Sequence, residues 1–238
     1  MTEFVEIWSY LAETPLLWLA ATLLAYLAGD TLAARLGRAP LANPVLVAVV
    51  ILAVLLWLTG TSYETYFDGA QFVHFLLGPA TVALAVPLWV HRRAARRALL
   101  PVLAGLVAGS VVAVLSALAI GHAMGLSPAL LATLAPKSTT APVALGIAQT
   151  LGGSPTLAAV LVIVTGIIGA IIVTPLMNAM RIRDWRARGL AVGVAAHGIG
   201  TARALQVHPR AGAFAAIGMA LNAVLTALLA PWALGLFG

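Results

Sequence analysis

The chain has no cysteine and a single lysine, Lys137, set against twelve arginines. Without cysteine, disulfides and thiolate metal sites are excluded. Charge of either sign is scarce: 8% of residues are charged and 62% are hydrophobic, where a soluble domain carries about 25% charged residues. That balance indicates an integral membrane protein. Acids are fewest of all, seven in 238 residues, and none form the paired carboxylates of acid–base catalysis. Gly-x-Ser-x-Gly, P-loop and HExxH patterns are also missing. No histidine pair stands at haem-ligating spacing within one helix. An enzyme is therefore not expected, nor is a metal or cofactor. A sequence pI near 10.8 suggests a nucleic-acid partner at first sight, but the arginines cluster in short loops between apolar runs, as cytoplasmic membrane flanks do. The expected partner is the lipid bilayer. The opening MTEFVEIWSY is acidic, and no small-residue cleavage site follows it, unlike a signal peptide. At this length one transmembrane domain over residues 1–238 is the natural reading.

The apolar runs divide into eight segments, from about Pro15 to Leu36, Asn43 to Leu58, Gly69 to Val90, Ala98 to Ile120, Ser127 to Gly152, Pro155 to Met180, Gly189 to Val207 and Gly212 to Phe237. Most reach the roughly 20 residues that a spanning helix needs. Arg35 and Arg38 follow the first segment, Arg92 to Arg97 the third, and Arg181 to Arg188 the sixth. For all of these to face the cytoplasm, with the N-terminus outside, one segment among the fourth to sixth must enter and leave on the same face. The fifth is the candidate. Its halves, joined by PKSTTAP, each span roughly half a bilayer at 1.5 Å per residue. The seventh, GLAVGVAAHGIGTARAL, has His197, Gly198 and Gly200 at its middle, and Arg203 and Arg210 argue that it too returns to the cytoplasm. The rival for both is a broken helix that crosses. The expected fold is an all-α polytopic membrane protein of about six spanning helices plus two broken or re-entrant hairpins. A weak echo suggests an inverted repeat. Asn43-Pro44 precedes Gly78-Pro79-Ala80-Thr81 much as Ser154-Pro155 precedes His197-Gly198-Ile199-Gly200-Thr201. Coincidence among common small residues is the alternative.

The candidate site residues are Lys137, Ser138, Thr139, Thr140, Pro79, Thr81, His197, Gly198, Thr201, Arg203 and Asn43. A charge at membrane depth costs about 3 kcal/mol on insertion scales, so Lys137 reads as the binding charge for a small anion. The bland reading has it shallow and snorkelling. Pro79 and Pro142 can each start a half-helix whose free N–H groups and positive dipole end favour an anion, although Gly-Pro pairs also make mere kinks. Thr81, Thr139 and Thr140 would add hydroxyl and backbone contacts. His197 has three readings: substrate contact, coupling proton, or a hydrogen bond to another helix. Arg203 could clamp a carboxylate or serve as a positive-inside flank. Asp30 reads as a helix-end partner of Arg35 or Arg38, and Tyr63 to Asp68 as an aromatic interfacial loop.

Four ordered runs resemble the LrgB/CidB family: Asn43-Pro44, residues 77–85 (LGPATVALA), Pro136 to Pro142 (PKSTTAP) and His197 to Arg203 (HGIGTAR). The likeness covers nearly the whole chain from Asn43 onward. It implies transport of small 2-hydroxy or 2-oxo monocarboxylates such as pyruvate, glycolate or glycerate across a bacterial inner membrane. As the alternative, it implies an antiholin-like control of murein hydrolases with a small LrgA/CidA-like membrane partner; a homo-oligomeric assembly is also expected. The chain departs from the family pattern at Gln206, where an acid is common, and at Gly69-Ala70, where two glycines are expected.

Overall fold

Proline after a capping side chain starts helix after helix in this chain. Asn43, Ser127, Ser154 and His208 are each extended, each accept a bond from a backbone N–H of the first turn, and each precede a proline. The cap supplies an acceptor that the first turn lacks, and proline's fixed φ and missing N–H cost nothing there. The shared start of Asn43-Pro44 and Ser154-Pro155 is thus a device used at other helices too, and by itself does not single out a repeat.

The computed structural model describes residues 15–39, 42–76, 79, 82, 85–90 and 92–237. These residues are all-helical, with no strand among them. They fall into two compact units, Met1–Ala80 and Thr81–Gly238. The first unit holds α1 (Pro15–Arg35), α2 (Pro44–Thr59) and α3 (Tyr63–Phe75). The second holds α4 (Ala85–Val90), α5 (Arg92–Arg97), α6 (Leu99–Ala123), α7 (Pro128–Leu134), α8 (Ala141–Thr150), α9 (Pro155–Ala179), α10 (Trp185–Val207) and α11 (Pro209–Leu234). By length and composition α1, α6, α9 and α11 can cross a membrane, and α2 is a shorter apolar helix. Large apolar side chains such as Trp57, Leu100 and Leu228 stand exposed. Water would penalise such a surface, but lipid does not. The chain is a multi-pass helical membrane protein.

The third segment begins earlier than expected: α3 starts at Tyr63, six residues before Gly69. The expected aromatic loop is therefore helical. Ser62 Oγ accepts from Thr65 N at 3.2 Å, closing the first turn. Helical spacing then brings Tyr63 onto Phe67, centroids 5.7 Å apart, and Tyr66 onto buried Trp18 at 5.9 Å. Asp30 pairs with Arg38 at 2.9 Å, as one of its two expected partners.

In the second unit, α6, α9 and α11 are long rods, and two shorter elements double back between them. The chain leaves Thr133 at the end of α7 and is back against it at Ser154, whose N–H donates to Thr133 Oγ1 at 2.8 Å. Residues 135–140 and α8 form the excursion between these two points. The second doubled element is α10. A straight helix of its length would span roughly 34 Å at 1.5 Å per residue. Yet Trp185 at its start and His208 just past its end stack at 4.7 Å, only 4° from parallel. The reversal lies at Ala196 (φ −130°, ψ 16°) and His197 (φ 41°, ψ −131°). Asp184 caps its first half, and the Arg186 guanidinium bonded to it holds that carboxyl down to about 2.

Candidate functional site

A helix interrupted at Ala196 leaves carbonyls of its last turn without intrahelical donors. One of them, Val194 O, is met by Asn222 Nδ2 at 3.1 Å. The same amide donates to Ser138 O at 3.0 Å. Its oxygen accepts from Ser110 Oγ at 2.6 Å and from Thr226 Oγ1 at 3.2 Å. Asn222 lies about midway along α11, Ser110 near the middle of α6, and both are buried. This one side chain therefore ties the loop of the first doubled element to the turn of the second, at the middle of two long helices. Asparagine has one acceptor and two donors to spend, and all are engaged.

Around that tie stand the residues singled out in the sequence. Pro136, Ser138, Thr139 and Thr140 are buried, and Lys137 is half-buried. Lys137 Nζ donates to Ser138 Oγ at 3.0 Å. Among the described residues no carboxylate pairs with it. Thr139 Oγ1 donates to Thr140 O at 3.1 Å. Thr140 occupies the N-cap of α8 without making the usual side-chain cap bond, and its buried hydroxyl has no partner among the described residues. Such an orphan costs free energy, and it sits beside backbone N–H groups that a helix start leaves open.

His197 is buried, and Nε2 lies 2.9 Å from Val162 O of α9. Its backbone occupies a region that side-chain-bearing residues rarely enter, a cost of about 1–3 kcal/mol that surrounding contacts must carry. Gly166 makes room for the ring, since a Cβ there would stand 2.7 Å from His197 Cε1. Thr201 Oγ1 donates to Met219 Sδ at 3.8 Å, and Gly198, beside the same sulfur, is exposed.

Arg203 lines a small cavity with Trp185, Arg188 and Val207, at the base of the doubled α10. Asn43 belongs to the first unit, and its Oδ1 is occupied by Val45 N at 2.9 Å and Leu46 N at 3.2 Å. Pro79 is exposed in that unit. Thr81, and Gly78 before Pro79, lie outside the described residues. Sequence reading missed Asn222, although an amide in an alanine- and leucine-rich helix, one turn before Thr226, was a signal in itself.

Comparison with known proteins adds one family. The model of the LrgB-like family matches residues 22–236. YxaC of Bacillus subtilis is 36% identical over 216 residues, covering 91% of this chain and 94% of that protein. The "Holin-like protein CidB" of Staphylococcus epidermidis is 34% identical over 198 residues, 83% of this chain and 86% of that protein. Its counterpart in Staphylococcus aureus is 33% identical over a stretch of the same length. No solved structure matches the chain.

Proposed function

The chain belongs to the LrgB-like family, and from that premise we propose that it passes a small organic monoanion across the membrane through the centre where its two doubled elements meet. The observation that carries this reading is Lys137, an ammonium without a carboxylate partner among the described residues, next to buried hydroxyls at a broken stretch of backbone. Irregular backbone at membrane depth is stable only where protein covers it or a wet cavity receives it. Helix breaks that converge from opposite faces are how secondary carriers build such sites.

In this reading PKSTTAP enters from the outside and α10 from the cytoplasm, each as a re-entrant hairpin, in a bacterial inner membrane. Lys137 supplies charge, the Thr140 hydroxyl and the start of α8 supply donors, and His197 orients the bound anion or exchanges a proton with it. Pyruvate, glycolate and glycerate are the proposed substrates, since each offers one carboxylate and one neighbouring oxygen.

A second reading has its own support. Relatives named holin-like favour control of lysis, with a small holin-like membrane partner, more directly than they favour transport. Surfaces that meet that partner would then matter, and the polar centre would not. Uptake of labelled pyruvate, glycolate and glycerate into proteoliposomes separates the two. Under the carrier reading uptake saturates, and Lys137→Ala abolishes it while leaving autolysis unchanged. Lys137→Arg also impairs uptake, because a planar guanidinium does not replace a compact ammonium. Absence of saturable uptake for all three acids, with and without the small partner, sinks the carrier reading. Loss of autolysis control on substituting exposed helix-facing residues, with Lys137→Ala silent, supports the second.

A further inference from the structure

A second site stands apart from Lys137, at the end of the second unit where its arginines gather. The α5–α6 junction, the turn between α9 and α10, and the start of α11 enclose an open cleft of about 930 Å³. Arg97, Arg183, Arg186 and Arg210 line it, together with Trp185 and the single acid Asp184. Asp184 is spent on Arg186 at 2.6 Å and on capping α10. Among the described residues Arg97, Arg183 and Arg210 have no ion pair. The cleft therefore holds more positive charge than its own acid offsets. Trp185 is fixed by stacking on His208, whose Nδ1 in turn accepts from Arg210 N at 3.1 Å, so two of the lining residues are held in place.

This cleft runs on into a narrower groove of about 390 Å³, and the two share Ala98, Asp184, Arg186 and Phe214. The groove's wall is different in kind. It is made by Pro101, Val102, Gly105, Met177, Leu190 and Phe214, from α6, α9, α10 and α11. Gly105 keeps it open, since a Cβ there would stand 2.9 Å from Leu190 Cδ2. A basic cleft alone would suit any soluble anion, and an apolar groove alone any hydrophobe. Joined end to end at the arginine-rich end of spanning helices, they match a molecule with a phosphate at one end and hydrocarbon at the other. Basic pockets between helices on the cytoplasmic side recognise anionic headgroups in this way.

We infer that this composite surface is a binding site for an anionic phospholipid, its phosphate among Arg97, Arg183 and Arg210 and one acyl chain along the groove. The site does not depend on what happens at Lys137, and its test reads lipid binding, so either reading can fail without the other.

The full-length chain, purified in a neutral detergent, is titrated with dioleoylphosphatidylglycerol, dioleoylphosphatidylcholine, glycerophosphoglycerol and inorganic phosphate. Thermal unfolding and native mass spectrometry are the readouts. The anionic lipid should raise the unfolding temperature and be retained in the spectrum, while the other three do neither. Arg183→Gln with Arg210→Gln should weaken retention roughly 30-fold, about fivefold for each lost charge near a surface. Arg183→Lys with Arg210→Lys, which keeps charge, should restore most of it and guards against a folding defect. Ala191→Trp, filling the groove with every arginine intact, should weaken the same lipid. Equal retention of phosphatidylcholine overturns the proposal. So does stabilisation by phosphate or glycerophosphoglycerol alone, which assigns the cleft to a soluble anion. Unchanged retention of the anionic lipid in the double glutamine variant or in Ala191→Trp overturns it as well.

Discussion

The two doubled elements reach the same asparagine by different means. Residues 128–150 are broken by composition: two prolines and a polar run leave six residues out of regular helix between α7 and α8. In α10 no proline is involved. It is broken at two residues of non-helical backbone, Ala196 and His197, and held shut by close packing. A Cβ on Gly193 would run into the Ala215 carbonyl, and one on Gly169 into Ala196 Cβ. Gly146, on α8, faces open space instead. The first element is thus free to carry polar chemistry at its turn, while the second spends its sequence on fitting between α9 and α11. Where a chain is bent by local chemistry, its side chains stay available. Where it is bent by packing, they are committed.

Asn222 is the point at which this difference is most open to attack, because it serves both elements at once. Asn222→Leu keeps the volume but strands Ser138 O, Val194 O and the Ser110 hydroxyl. Each buried polar group left unpaired costs about 1–3 kcal/mol, so a loss above about 3 kcal/mol is expected. Unfolding in detergent measures the total. Hydrogen exchange measures its distribution, and residues 135–140 and 192–198 should lose protection together. If only one stretch loosens, the amide is not the common tie.

Next in size is the glycine pair. Gly193→Ala forces backbone apart and should cost about 1–3 kcal/mol, the usual range for overpacking. Gly146→Ala meets nothing and should cost nothing, or gain up to about 1 kcal/mol from helix propensity. Matched thermal unfolding of the two variants is enough. Equal losses would mean that α8 is packed as tightly as α10, and the contrast between the two elements would go.

The contrast also decides what could be read in advance. PKSTTAP announced its break, its charge and its hydroxyls, because prolines and a lone lysine act through local rules. The starts of α2, α7 and α9 were visible for the same reason, whereas α11 starts at Pro209, three residues before the expected Gly212. The fold-back of α10 was read only from nearby glycines and flanking arginines. The sequence pointed to AAHGIG, but the strained backbone falls on His197 rather than on either glycine, because Val162 O and the gap at Gly166 fix the ring. The helix also starts at Trp185, four residues before the apolar pattern begins, since Asp184 caps it and His208 receives the indole. Asn222 escaped notice because three of its four partners lie 28, 84 and 112 residues away. No window of sequence contains them.

The smallest expected effect is the most diagnostic. Thr140 Oγ1 is buried, sits at a helix start and has no bonding partner among the described residues. A hydroxyl kept for stability would have a partner, so replacing it with a methyl of the same shape should help the fold. Thr140→Val should gain about 1 kcal/mol, the order of the cost of an unpaired buried hydroxyl in proteins. The same change should weaken organic-acid uptake, since it takes a donor from beside Lys137. Gain in unfolding temperature with loss of transport is the signature of a group reserved for a ligand. A drop in stability would mean that the hydroxyl already has a structural role. Unchanged uptake would remove Thr140 from the site, leaving Lys137 and the backbone of α8 to hold the anion between them.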